Sequence, residues 1–395
     1  MSLRVKRARA LLLVAPLLVF VALVFLGPIF MLLERSVAMP VMRATLPNTA
    51  SALADWRGPD LPMETAWQAL VSDLGEAQAA GTASKIATVL NQDISGTRSL
   101  VIEAAREAAD LTPPFRIALT RLDQRWANPA IWGTLKRLSA GWTFSYYANA
   151  LDLRIVGYDE IERQPEGRRL YLALFARTLK VAGLVTLLCL LLAYPVANLL
   201  AGLPRPSANL LIILVLLPFW TSLLVRTTAW IVLLQKQGVI NDVLVWVGIV
   251  SNENRIALIY NQTGTLIAMS HVLLPFMILP IYAVMKSVPP TYMRAAMSLG
   301  ASPFKAFLRI YLPQTMPGVG AGVILVFILA IGYYITPGLV GGDSGALISN
   351  LIAYHIQKSL NWGLAAALST LLLIGVLALY WLYDRIVGID NLKLG

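Results

Sequence analysis

The chain has 395 residues, 57% of them hydrophobic and only 13% charged, with a formal net charge of +11. Soluble domains are about one quarter charged, so a chain built mainly of soluble globular structure is excluded. A single cysteine, Cys189, and two isolated histidines, His271 and His355, exclude a disulfide framework and a zinc site built on cysteine or paired histidines.

A helix rises about 1.5 Å per residue, so crossing a hydrocarbon core of about 30 Å takes about 20 apolar residues. Runs of that order cover residues 10–33, 181–204, 206–225 (continuing past Arg226 to 235), 256–285, 310–342 and 359–383. The fold expected is an all-α polytopic membrane protein with six transmembrane helices and a large, mainly helical insertion between the first two. Residues 243–252 and 344–357 are too polar to span and read as interfacial helices outside the bilayer.

The first run follows Arg4, Lys6, Arg7 and Arg9. It is longer than a signal-peptide core and no clear small-residue cleavage site follows it. A basic tract before an apolar helix places that end in the cytoplasm, and six crossings return the C-terminus to the same side. The segments then assigned to the inside hold eleven basic residues against Asp384 and Asp390. That excess agrees with the positive-inside rule, so the basicity reports orientation and not nucleic-acid binding.

Residues 34–180 carry 17 basic and 16 acidic residues, the balance of a translocated domain. Residues 65–74, 84–90 and 99–111 have helical spacing, separated by Gly75, Gly81 and Gly96 and closed by Pro113 and Pro114. Trp56, Trp67, Trp126, Trp132 and Trp142 can build a small core or line a membrane surface. The segment reads equally as a docking platform for an external partner or as a structural cap. It contains no nucleophile–base pair, carboxylate pair or glycine-rich phosphate loop, so no catalytic residue is assigned.

The connection between the fourth and fifth runs is more informative. Pro289 and Pro290 open a short helix through Arg294, Ala295 and Ala296, Gly300 ends it in a left-handed conformation, and Ser302 with Pro303 starts a second. The two alanines are small enough for close approach by a partner. In register, Ala295, Ala296, Gly300, Ile310, Leu312 and Pro313 resemble the signature of the integral membrane subunits of type I ATP-binding-cassette importers: Glu-Ala-Ala, three residues, Gly, nine residues, Ile, any residue, Leu-Pro. In that family the segment is the coupling helix that seats in a groove on the ATPase subunit. Arg294 stands where the family usually has Glu, so the polar contact made there differs.

Residues 217–230 (LPFWTSLLVRTTAW), Gly238 to Asn241, Leu274 to Met277 and Ile335 to Gly342 resemble spermidine/putrescine-type permeases of the same family. The resemblance covers the first run and residue 142 onwards, whereas residues 40–140 exceed what those permeases carry. It implies a permease subunit for a small, polyamine-like organic solute in the bacterial inner membrane, with both termini cytoplasmic. It also implies ABC ATPase subunits, a second permease subunit, different or identical with a heterodimer favoured, a periplasmic solute-binding protein and membrane lipid as partners, and no cofactor. The expected division is residues 1–33 as cytoplasmic N-terminus and first span, 34–180 as periplasmic domain, and 181–395 as a five-helix permease core with its coupling loop at 286–315, the first span packing beside that core. No Walker A sequence is present, so ATP is hydrolysed by a separate chain. The alternative is a membrane-anchored sensor or assembly factor working through residues 34–180. A secondary carrier would need acidic or basic relays within the spans, and only Arg226 is charged there.

Four residues are candidates for the solute pathway: Trp220, Arg226, Tyr333 and Tyr334. Arg226 reads either as an anchor snorkelling to the headgroups between Trp220 and Trp230 or as a gate. It is a poor direct ligand for a polyamine, because like charges repel. Tyr333 and Tyr334 lie where Gly332, Pro337 and Gly338 should interrupt the helix, and belt aromatics are the competing reading. His271 reads as a packing residue, and Gly318, Gly320 and Gly322 as sites of close helix packing.

Overall fold

The computed structural model describes residues 3–157 and 159–387. Asp390 and Lys393, the latter one of the eleven basic residues assigned to the inside, lie outside them. The helices long and apolar enough to cross a membrane are Leu12–Arg35, Tyr171–Gly202, Gln262–Ser287, Pro303–Gly332 and Trp362–Arg385. A sixth crossing exists if the pair Arg205–Trp220 and Leu223–Trp246 forms one span, but that pair is bent by 95°.

The bend is the main departure from the expected helices. Leu217–Trp220 tightens into a 3-10 turn, Thr221 and Ser222 are extended, and the Ser222 hydroxyl accepts the Val225 N–H at 3.1 Å. Pro218 removes a helical donor and Ser222 caps a fresh helix, so an uninterrupted apolar run becomes two helices. Arg226 therefore sits in the first turn of a new helix, Leu223–Leu234. The stretch expected to be interfacial at 243–252 is helical only to Trp246, where the helix Val239–Trp246 ends, and Gly248 follows at φ +80°. The second such stretch forms the helix Ile348–Gln357.

The fifth run also shifts. Its helix begins at Pro303, passes through a π-helical turn at Phe307–Tyr311 and stops at Gly332. Tyr333 is extended, and a short helix resumes at Ile335–Val340. In the first span no residue of the most apolar window is buried.

The chain divides into two compact units, Met1–Leu172 with His355–Leu371, and Ala173–Tyr354 with Leu372–Gly395. In the first, Glu64–Ala79, Ala83–Asp93 and Thr97–Glu107 are helical. Gly81 and Gly96 separate them at positive φ, but Gly75 lies inside the first helix against Ala108, because the Ala- and Leu-rich residues around it carry the helix through. Trp67, Trp126 and Trp132 are fully buried, and the Trp132 ring lies 4.4 Å from Trp67 and 6.0 Å from Trp126 between centroids. Two of the three polar ends are satisfied, Trp67 Nε1 donating to the Pro62 carbonyl at 3.1 Å and Trp132 Nε1 to the Trp126 carbonyl at 2.9 Å, whereas Trp126 Nε1 is buried with no partner among the described residues. Trp142 remains 61% exposed.

Two buried charges brace this unit. The Asp73 carboxylate accepts from the Thr49 N–H (2.7 Å), the Thr49 hydroxyl (2.6 Å) and the Asn48 amide (2.8 Å). Arg137 pairs with Asp93 at 2.5 Å and donates to the Ile155 carbonyl at 3.2 Å. The second bond ties a helix to an antiparallel hairpin, Leu153–Val156 with Glu160–Arg163, that four-residue strands gave no periodicity to reveal. Asp152 then accepts the N–H groups of Leu170 and Tyr171 at 3.0 Å and of Leu172 at 2.9 Å, placing an anion at the start of the helix Tyr171–Gly202.

In the second unit the helix Gln262–Ser287 packs against the helix Leu312–Gly332. Gly318 and Gly322, one helical turn apart, allow this. A Cβ on Gly318 would lie 2.9 Å from the Pro280 carbonyl oxygen, and one on Gly322 2.7 Å from Met277 Sδ. Gly320 is buried in the same helix. Such small-residue faces let backbones approach where lipid supplies no hydrophobic drive for association.

Candidate functional site

The segment singled out in the sequence folds as a helix, a turn and a second helix. Pro290 occupies the first position of the helix Pro290–Ser298, where its missing N–H costs nothing. At the other end the Gly300 N–H donates to the Met297 carbonyl (3.0 Å) and the Ala301 N–H to the Ala296 carbonyl (3.1 Å), the paired bonds of a Schellman cap. Gly300 holds φ +89° to make them. The Ser302 hydroxyl then accepts the Lys305 N–H at 3.3 Å, and Pro303 opens the next helix.

The turn encloses a cleft of about 660 Å³. Ala295, Ala296, Gly300 and Ile310 line it, with Tyr292 and Arg309. Arg294, Leu312 and Pro313 do not: Arg294 is exposed on the first helix, and Leu312 and Pro313 continue the second. The Leu312 carbonyl accepts the Thr315 hydroxyl (2.8 Å), which in turn bonds the Tyr194 hydroxyl (3.0 Å), fixing that end of the helix. Leu299 is 89% exposed and Phe304 is also exposed, so apolar side chains stand in solvent beside the cleft. Every ionisable side chain from Lys286 to Arg309, apart from the phenol of Tyr292, is cationic: Lys286, Arg294, Lys305 and Arg309.

The four pathway candidates do not form one cluster. Trp220 is 75% exposed and Tyr334 is also exposed, its carbonyl accepting the Asn350 amide at 2.6 Å. Arg226 and Tyr333 are half-buried and lie in one neighbourhood with His271. Two guanidinium nitrogens of Arg226, Nε and Nη1, are buried with no hydrogen-bond partner among the described residues. Around them are pairs that the sequence did not announce. Trp230 Nε1 donates to His271 Nδ1 at 3.1 Å, and the Thr227 and Thr336 hydroxyls meet at 3.3 Å across two helices. Polar side chains within apolar runs were the available signal, because in lipid such groups seek partners on other helices.

The geometry of the loop invites comparison with transport proteins. Residues 191–388 match the family described as the binding-protein-dependent transport system inner membrane component. The chain belongs to that family. It is a permease subunit of an ABC importer, a multi-pass inner-membrane component whose ATP is hydrolysed by a separate subunit. The sensor alternative therefore falls. The chain is 35% identical over 222 residues to the spermidine/putrescine transport system permease protein PotB of Salmonella typhimurium, covering 55% of this chain and 77% of that one. PotB of Escherichia coli is 34% identical, with 55% and 80% covered. The inner membrane ABC transporter permease protein YdcU of Escherichia coli is 33% identical, with 54% and 70% covered. Among solved structures, a bacterial ABC transporter involved in the import of the acidic polysaccharide alginate is 19% identical, with 56% of this chain and 81% of that chain covered at a TM-score of 0.46.

Proposed function

We propose that this permease carries a polyamine-like solute and that the turn at 286–315 is its coupling loop, docking an ABC ATPase. The observation that carries the docking reading is the Schellman-capped helix beside an open cleft. It presents Ala295 and Ala296, a left-handed glycine and exposed Leu299 at one edge, which is a small-residue surface with no occupant among the described residues. The solute class rests on the relatives named above.

In this reading the spans number six, the bent pair counting as one, with both termini cytoplasmic. Residues 1–33 are the cytoplasmic end and first span, residues 34–180 a periplasmic domain, and residues 181–395 the permease core. ATP-driven closure of the ATPase dimer draws two coupling loops together, one from this chain and one from a second, different permease. The helices then switch between inward- and outward-facing states around a shared path, biased by nucleotide and by a docked periplasmic solute-binding protein. Arg226, Tyr333, Trp220 and Tyr334 are its pathway residues. The buried guanidinium nitrogens of Arg226 favour a gate over a snorkelling anchor. An arginine there repels a diamine, so it acts on the path's conformation and not as a ligand.

Co-purification from detergent tests the docking reading, with uptake of radiolabelled spermidine and putrescine measured in parallel. The ATPase should accompany the wild type and be lost from an Ala296→Trp variant, whose indole fills the cleft. Equal recovery of ATPase with both proteins would remove the loop from the coupling role. Uptake of neither amine by an intact complex would remove the polyamine assignment and leave the loop standing.

A further inference from the structure

A second cleft, of about 480 Å³, lies wholly within the first unit. Its lining includes three cations, Arg35, Lys85 and Arg98, and no carboxylate. Lys85 and Arg98, on the helices Ala83–Asp93 and Thr97–Glu107, have no ion-pair partner among the described residues. The Arg35 guanidinium stands 5.4 Å from the centroid of the Trp362 ring, which it faces. Tyr146 also lines the cleft, and burial pushes its hydroxyl up to about 12, so it stays a neutral hydrogen-bonding group.

The position of the cleft selects its ligand. Arg35 is the last residue of one membrane-crossing helix and Trp362 the first of another. Arginine and tryptophan at such ends mark the level where hydrocarbon gives way to headgroups. Leu360 and Trp362 are exposed at the same rim, an arrangement that an acidic segment of a soluble protein would leave unexplained but that acyl chains would cover. Three uncompensated positive charges, hydroxyl and amide groups from Ser84, Thr88 and Asn361, and an apolar rim together match an amphiphile with an anionic head. We propose that this cleft binds the phosphate headgroup of an anionic phospholipid, with Lys85 and Arg98 on the phosphate oxygens and the first acyl carbons against Leu360 and Trp362.

Native mass spectrometry of detergent-washed protein tests this, with thermal unfolding in added phosphatidylglycerol, phosphatidylcholine or inorganic phosphate. The wild type should retain phosphatidylglycerol and be stabilised by it but not by phosphatidylcholine. The double variant K85Q/R98Q should bind it about tenfold or more weakly, as expected for the loss of charge-assisted hydrogen bonds. Both residues are exposed, and the single variants give the same reading should the double variant fail to fold. Equal retention by wild type and variants would overturn the proposal. So would equal stabilisation by inorganic phosphate, which would mark a site for free anions. Variants that kept their lipid but lost the response of uptake to the solute-binding protein would make the cleft a protein contact, and the proposal would fall.

Discussion

Gly300 shows how one residue can matter through its backbone alone. A Cβ built there meets nothing within 4 Å, so crowding is not the obstacle. The obstacle is φ +89°, a left-handed conformation that costs other residues about 1–2 kcal/mol. Replacement by Asn, which tolerates that region, should leave uptake closest to wild type. Ala should lower it and Val should lower it most, with insertion and expression unchanged in all three. A flat series, measured as uptake per inserted molecule, would mean that the cap is not needed for coupling. Arg226 makes the complementary point. Its side chain was visible in the sequence as the one charge within an apolar run, but the burial of two of its nitrogens depends on a helix break that hydropathy does not register.

At the scale of elements, the pair Gln262–Ser287 and Leu312–Gly332 depends on two glycines. Gly322→Leu would drive a side chain into Met277, and overpacking of this kind costs about 1–3 kcal/mol or more. The variant should unfold at a lower temperature in detergent, whereas Gly332→Leu, with open space around its Cβ position, should not. Equal unfolding temperatures for the two would show that the helices can part without penalty. These glycines were legible because three recur at every second position in an apolar run. The loop was legible for a related reason: its prolines, Gly300 and Ser302 each impose a local geometry that needs no tertiary context. The hairpin at 153–163 and the bend at 217–222 were not. The hairpin is held by Arg137 reaching in from another helix, and the bend by a cap inside an uninterrupted apolar stretch. The segment 181–204 lies largely within a helix long and apolar enough to span, but that helix starts ten residues earlier, at Tyr171, where Asp152 supplies an N-terminal anion from outside the run.

The molecule as a whole joins a tryptophan-centred unit to a glycine-packed one, and the two respond to different perturbations. Trp132→Ala removes the ring between Trp67 and Trp126 and should destabilise the first unit by about 3–5 kcal/mol. Limited proteolysis should then cut within residues 34–172 while the helices of the second unit stay protected. Uniform protection would show that the tryptophans are dispensable. If uptake survives such cutting, the unit is a cap; if uptake is lost while ATPase still co-purifies, it is a docking platform. The continuity of Pro303–Gly332 has a mechanical meaning as well. Thirty helical residues make a rod of about 45 Å, and tilting one end by about 10° carries the other through roughly 8 Å. One end of that rod is the capped turn, and the other is the break at Tyr333, a few residues from the Thr227–Thr336 contact and in the neighbourhood of Arg226. In the proposed function this helix is a lever that carries a tilt at the coupling loop towards Tyr333, and the π-helical turn at Phe307–Tyr311 interrupts its regular ladder close to the loop end.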